Sequence, residues 1–297
     1  TRTIQDAIEL IAEAVYKKFG STKSGLNQQL LQLLGNLGIQ INLDPFSGLP
    51  SLSFQIQQNK SDLNSLLSIG EFLRNRKEKI VVAIDEFQQI TDYKENAEAI
   101  FRNWVQTFPE IRFIFSGSHR HLMSSMFLEK NRPFYKSAQL IELQAIELGD
   151  YENFILNHFK KAQKTISKEQ ITYIYNWSRS QTYTVQLICN KLYGSCTKVT
   201  DEDIELVINE IIKQEEPIYA NYTKLLTDLQ WNVLVAISKE EVVKYPTSHA
   251  FLSKHQLGSA SSIKSALNQL IKKEIVIQEN SEFKVHDILL SRWIQKL

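Results

Sequence analysis

The sequence predicts an α/β layer with a parallel sheet, followed by a small helical bundle and a winged helix-turn-helix. Residues 80–84 (IVVAI) are five consecutive apolar side chains rich in β-branched types, the pattern of a strand covered on both faces. A second apolar run, 113–115, follows after a helical pattern over 96–107, and strand, helix, strand at that separation is a βαβ unit. The C-terminal part reads as helix, helix, turn, helix and then two short β-prone runs about Asn280, the order of a winged helix.

Composition narrows the classes. A chain of 297 residues that is 43% hydrophobic has ample material for buried cores, which excludes a disordered chain. With 34 Lys+Arg against 33 Asp+Glu, bulk charge gives no argument for nucleic acid or an anionic membrane. Cys189 and Cys196 fall on one helical segment, roughly 10 Å apart, beyond disulfide reach. A reducing, cytoplasmic compartment is therefore expected. No apolar run approaches the ~18 residues that a membrane span needs.

In chain order, Ile4, Ala7, Ile8, Ile11, Ala12, Val15 and Tyr16 repeat on one helical face up to Gly20. A shorter helix is expected over 26–37. Alternation at Ile39, Ile41 and Leu43, then at Leu52, Phe54 and Ile56, flanks Asp44-Pro45 and Gly48 and predicts a hairpin-like insertion. Helical periodicity returns over 62–76. After the βαβ unit come a short helix, 121–128, and a third strand, 139–143. Helices over 150–162, 167–177, 182–193 and 200–216 form the bundle, with Pro217 ending the last. Helices over 228–238, 248–255 and 261–273 precede the two β runs, 275–278 and 283–285. The expected domains are 1–148, 149–216 and 217–297.

The chemistry concentrates where the first strand ends. In KIVVAIDEFQQI, Asp85 and Glu86 stand at the carboxyl end of the apolar strand, where open parallel sheets place their ligands. A hydrophobic strand ending in Asp-Glu is the Walker B arrangement: the Asp holds Mg2+ through its water shell, and the Glu orients or deprotonates the water that attacks a γ-phosphate. Taken alone, the pair can equally be a turn cap and a solvated carboxylate. The second strand, IRFIFSGS, ends in Ser116-Gly117-Ser118, hydroxyls able to reach a phosphate or the attacking water from next door. His119 and His121 match no zinc spacing, and Ser118, His119 and Asp85 lack the glycines of a nucleophile elbow.

On these motifs the chain resembles the AAA-like STAND ATPases of archaea and bacteria, P-loop ATPases with a helical lid and a C-terminal winged helix. The resemblance spans nearly the whole chain. It implies a P-loop sheet, ATP and Mg2+ as cofactors, Asp85 as the metal residue, Glu86 as the catalytic acid-base, and Ser116 or Ser118 as the γ-phosphate sensor. It also points to Arg132 as an arginine finger in a homo-oligomer, to Arg120 as a contact for phosphate or Asp85, and to Arg179 as a lid sensor. Each arginine has an ordinary surface role as its alternative.

The chain departs from that pattern in two places. It has no GxxxxGK[ST] loop: in Gly20-Ser-Thr-Lys-Ser-Gly25 the lysine is misplaced and the segment follows a helix. Thr1 is thus expected to be a fragment boundary, with roughly fifty residues, a βαβ-sized piece carrying the sheet's first strand, preceding it. The lid's Gly-x-Pro turn beside the adenine corresponds to Ser180-Gln181-Thr182, which keeps neither residue. In the winged helix, Lys264, Asn268 and Lys272 share a polar helix face able to touch DNA. From Asn221 on, ten Lys+Arg meet seven Asp+Glu, a small excess for a DNA binder. Two functions follow: an ATP-driven switch or ATPase, or a DNA-binding or scaffold protein with a vestigial ATPase half. The winged helix is expected to dock DNA or a protein partner.

Overall fold

The computed structural model describes residues 3–22, 25–26, 28–37, 39–43, 50–54, 61–93 and 96–297. Packing divides the chain into two units, Thr1–Ile141 and Glu142–Leu297, each around its own apolar core.

In the first unit, α1 (Ile4–Phe19) opens with a capping box. The Thr3 hydroxyl accepts from the Asp6 N–H, and the Asp6 carboxylate accepts from the Thr3 N–H. The apolar face read from the sequence is the buried one, from Ile4 to Tyr16. Two-residue strands β1 (Ser21–Thr22) and β2 (Gly25–Leu26) pair antiparallel before α2 (Gln28–Asn36). The insertion is a hairpin of β3 (Ile39–Leu43) and β4 (Pro50–Phe54), with Ile39 opposite Phe54; Asp44-Pro45, Gly48 and Ile56 lie outside the described residues. Then α3 (Asp62–Arg74) begins at a Ser61 cap.

β5 (Val81–Ile84) is followed by a 3-10 helix (Phe87–Asp92), α4 (Ala97–Thr107) and β6 (Arg112–Phe115). β5 and β6 pair parallel, from Val81 opposite Arg112 to Ile84 opposite Phe115, so the βαβ unit forms as expected. Val82, Ile84, Phe113 and Phe115 face the core, where Trp104, Phe101 and Phe134 are fully buried. The opposite face is bare, with Val81 57% and Ile114 55% exposed, which corrects the expectation of a strand covered on both sides. After α5 (Arg120–Leu128), residues 139–143 form no strand, and Ile141 and Leu143 are exposed. Apolar alternation is present there, but a strand exists only through a ladder of backbone hydrogen bonds to a neighbour, and this segment joins no sheet. Among the described residues the parallel sheet therefore has two strands.

The second unit begins with α6 (Leu148–Lys161), α7 (Lys168–Trp177), α8 (Thr182–Ser195) and α9 (Asp201–Tyr219). Capping boxes at Ser167 and Thr200 start α7 and α9. α9 runs past Pro217, which was expected to end it; in the final turn a proline disrupts little remaining helix. After α10 (Tyr222–Leu225) come α11 (Asp228–Glu240), α12 (His249–Lys254), α13 (Ala260–Lys272), β7 (Val276–Glu279), β8 (Glu282–Val285) and α14 (Ile288–Gln295). Asn280 and Ser281 both adopt left-handed backbone, making the tight turn between the antiparallel strands of the wing. α14 was not anticipated, although Asp287 before the apolar run is a cap, accepting from Leu289 N–H (2.8 Å) and Leu290 N–H (3.2 Å).

Bundle and winged helix share one continuous core, running from Tyr151 to Ile294. A polar knot ties them. Arg179 donates to Glu241 through Nε (2.8 Å) and Nη2, and to the Ser291 hydroxyl (3.2 Å). Arg292 donates to the other Glu241 oxygen and to the Trp177 carbonyl (3.1 Å), and Gln295 donates to Glu241 at 2.7 Å. Burial pushes the Glu241 carboxyl up, but the Gln295 and Arg179 hydrogen bonds and both arginine charges outweigh it and hold it below its ordinary value. Among the described residues no helix is long and apolar enough to cross a membrane.

Glu241→Gln should lower the stability of the second unit by roughly 1–3 kcal/mol, between an exposed and a buried ion pair, measured by chemical denaturation. Because the folded pKa is depressed, this contribution is complete above the ordinary value of 4.5 and is lost as pH falls through the folded value; in the Gln variant that acid dependence disappears.

Candidate functional site

The site is built by one aromatic side chain and two backbone hydrogen bonds. Where the parallel strands end, the Ser116 N–H donates to the Ile84 carbonyl (3.0 Å) and the Phe87 N–H donates to the Ser116 carbonyl (2.9 Å). Phe87, 1% exposed, stacks on Phe115 with ring centroids 4.1 Å apart and meets Phe134 and Phe101 edge-on. Burying such a ring is worth about 1.5–3 kcal/mol. Between the strand end and this anchored ring, Glu86 is forced into left-handed backbone (φ 50°). For a side chain of this kind that costs about 1–3 kcal/mol, a strain concentrated at functional turns.

This geometry sets two carboxylates against two hydroxyls. The Ser116 hydroxyl donates to Asp85 Oδ1 at 2.7 Å, and the same oxygen accepts from the Glu86 N–H at 3.0 Å. The Ser118 hydroxyl donates to Glu86 Oε2 at 3.0 Å. The Ser116 hydroxyl, then the Glu86 amide, hold the exposed Asp85 carboxyl below its ordinary value, so Asp85 is anionic at neutral pH. α5 begins at Arg120, so the positive end of its dipole lies just beyond Ser118.

Asp85 and Glu86 border an open trough of about 1340 Å³ lined by residues of β5 and of α1. Asp6, Glu9, Glu13 and Glu78 also line it, against Lys18 and Lys79. Burial, and after it the charge of Asp6, push the Glu9 carboxyl up. Such a lining attracts a cation and repels a bare triphosphate. Mg2+, which takes one or two carboxylates and keeps its other positions for water and phosphate oxygens, fits Asp85 beside Ser116. Among the described residues no three His, Cys, Asp or Glu side chains gather to hold a metal by themselves.

The other predicted residues lie elsewhere. Arg132, past α5, donates from Nη2 to Glu98 Oε1 on α4 at 3.1 Å; burial pushes the Glu98 carboxyl up, and the arginine's charge opposes that. Arg120 is exposed at the start of α5. Arg179 belongs to the Glu241 knot. The adjoining Ser180-Gln181-Thr182 turn binds the winged helix, with the Gln181 amide donating to the His286 carbonyl (2.5 Å) and accepting from the Ile288 N–H (3.4 Å). Lys264, Asn268 and Lys272 are exposed on α13, beside Ser261, Ser262 and Ser265. Lysines of the wing are committed: Lys284 pairs with Glu279 (2.6 Å) and Lys244 with Glu282 (3.3 Å).

Two residues of the site were not anticipated. Phe87 is its anchor, and Gln88, 3% exposed, donates from Nε2 to Glu86 Oε2 at 2.5 Å. The signal for both lay in the string DEFQQ, where a large apolar residue and an amide directly follow the acids.

The comparisons agree with this architecture. Residues 217–296 match the family model described as a probable winged helix domain. No curated protein is similar to the chain in sequence. Among solved structures, the chain is similar to the Walker-type ATPase PABY2304 of Pyrococcus abyssi, at TM-score 0.54 and 13% identity, covering 94% of this chain and 82% of that one. It is also similar to the ORC2 protein of Aeropyrum pernix in ADPNP-ADP complexes, at TM-score 0.50 and 12% identity, covering 82% and 72%.

Ser116→Ala removes the larger of the two influences that lower Asp85. Its carboxyl should titrate higher, toward the ordinary 3.8, in a carbon-detected NMR titration of this chain. An unmoved Asp85 would mean the hydroxyl is not bound to it. With fold and site in hand, residues 217–296 form a winged helix domain and the chain has a fold similar to those of the Walker-type ATPase PABY2304 and the ORC2 protein.

Proposed function

We propose that this chain belongs to an ATP-dependent molecular switch or ATPase. The observation that carries this reading is the pairing of Asp85 with Ser116 and of Glu86 with Ser118 at the carboxyl end of a parallel strand pair. Similarity of fold to a Walker-type ATPase, and to an ORC2 protein seen with ADPNP and ADP, supports the choice of nucleotide.

In this reading Asp85 anchors Mg2+ through water and Ser116 keeps the carboxylate oriented and ionised. The bound metal would supply neutralisation of charge on the β- and γ-phosphates. Glu86 accepts a proton from the water that attacks the γ-phosphorus, as the bond to the ADP oxygen breaks. Ser118, hydrogen-bonded to Glu86, donates to the γ-phosphate once nucleotide arrives. No phosphate cradle is found among the described residues. For Arg132 to serve as a finger it must leave Glu98. Bundle and winged helix share a core and the Glu241 knot, so they respond to nucleotide as one body.

ATP hydrolysis by the full-length protein should fall by roughly 100-fold or more in Glu86→Gln, with nucleotide binding retained. Turnover unchanged by that substitution would defeat the reading.

A second reading, DNA binding by a scaffold with a vestigial ATPase half, is favoured by the exposed Lys264, Asn268 and Lys272 on the third helix of the winged helix. Its test is the salt dependence of duplex DNA binding. If α13 contacts phosphates, Lys264→Ala with Lys272→Ala should reduce the slope of log affinity against log salt by about 2.

A further inference from the structure

We propose that Gln88 is the positioning residue for the Glu86 carboxylate, and that position 117 is glycine because a side chain there would displace Gln88. The role assigned to Glu86 rests on the nucleotide reading above. The contact itself does not.

Three unfavourable features converge on one carboxylate oxygen. Gln88 is a buried primary amide, and burying such a group is costly unless it is hydrogen-bonded. Its Nε2 donates to Glu86 Oε2 at 2.5 Å, while its Oε1 is buried with no partner. A Cβ at Gly117 would lie 2.1 Å from that Oε1, a distance no real contact allows. Glu86 meanwhile holds a left-handed backbone conformation. A core that needed only volume here would place methionine or leucine at 88 and leave 117 unrestricted.

What the arrangement achieves is direction. Glu86 Oε2 accepts from Gln88 below and from Ser118 beside it; when Ser118 turns its one hydroxyl proton to a γ-phosphate, Gln88 still holds the carboxylate in place. A carboxylate with free torsions would have to be ordered at each turnover, and a general base misplaced by about 1 Å loses on the order of 100-fold in rate. The amide is an uncharged donor to the ionised form, so it orients the base without taking its negative charge.

Two experiments separate the contact from the function. In this chain, Gly117→Ala should lower the melting temperature with Gln88 present and lower it much less in a Gln88→Ala background. Met123, whose Cγ and Sδ also come within 2.9 Å of the added methyl, is a flexible side chain that can give way in both backgrounds. Equal losses in the two backgrounds would overturn the steric part. In the full-length ATPase, Gln88→Met, which keeps the volume, should lower kcat by roughly 10- to 100-fold with little change in KM, and should add nothing in a Glu86→Gln background. An active wild type whose Gln88→Met variant keeps its kcat, or loses further rate in the Glu86→Gln background, overturns the positioning role alone. A full-length protein that hydrolyses no ATP overturns that role and the nucleotide reading together, while the stability coupling between 88 and 117 still reports the contact.

Discussion

The burial of Phe87 is the constraint on which the site depends. Its ring lies on Phe115 of the neighbouring strand, and its N–H is bound to the carbonyl of Ser116, so the chain leaving β5 is held to the chain leaving β6 from both sides. Everything between Ile84 and Phe87 must fit a gap of two residues. Asp85 therefore projects to solvent beside Ser116, and Glu86 takes the strained conformation that brings its carboxylate to Ser118 and Gln88. The chemistry of the site is placed by hydrophobic packing one residue away.

The second unit is organised by a different principle. Its helices and wing share one apolar core, and at the edge of that core a single carboxylate, Glu241, gathers two arginines and an amide. Two arginines converging without it would repel each other in a poorly solvated place, so the anion decides whether the turn after α7 and the last helix can meet. Arg179 and Glu241 both adopt left-handed backbone, a strain the surrounding hydrogen bonds offset.

Much of this was legible in the sequence. Period-3.6 patterns marked α1 and α13, the apolar runs at 80–84 and 113–115 marked the parallel pair, and the capping residues Ser167 and Thr200 marked helix starts. Asp85, Glu86, Ser116 and Ser118 could be brought together because strand ends in a βαβ unit are neighbours by topology. The rest depended on partners that no local pattern specifies. Residues 139–143 alternate like a strand yet join no sheet, Arg132 is bound to Glu98 some thirty positions away, and Arg179 is bound to Glu241. Gln88 was hidden because a glutamine after a turn looks like a surface residue, and only the buried amide reveals its work.

The central claim is that the acid–hydroxyl cluster at the ends of β5 and β6 is where nucleotide is held. Hydrogen exchange of the full-length protein, with and without a non-hydrolysable ATP analogue and Mg2+, tests it directly. The account predicts slower exchange concentrated at residues 84–90 and 115–120. Unchanged exchange in both segments, with or without slowing in the winged helix, would contradict it.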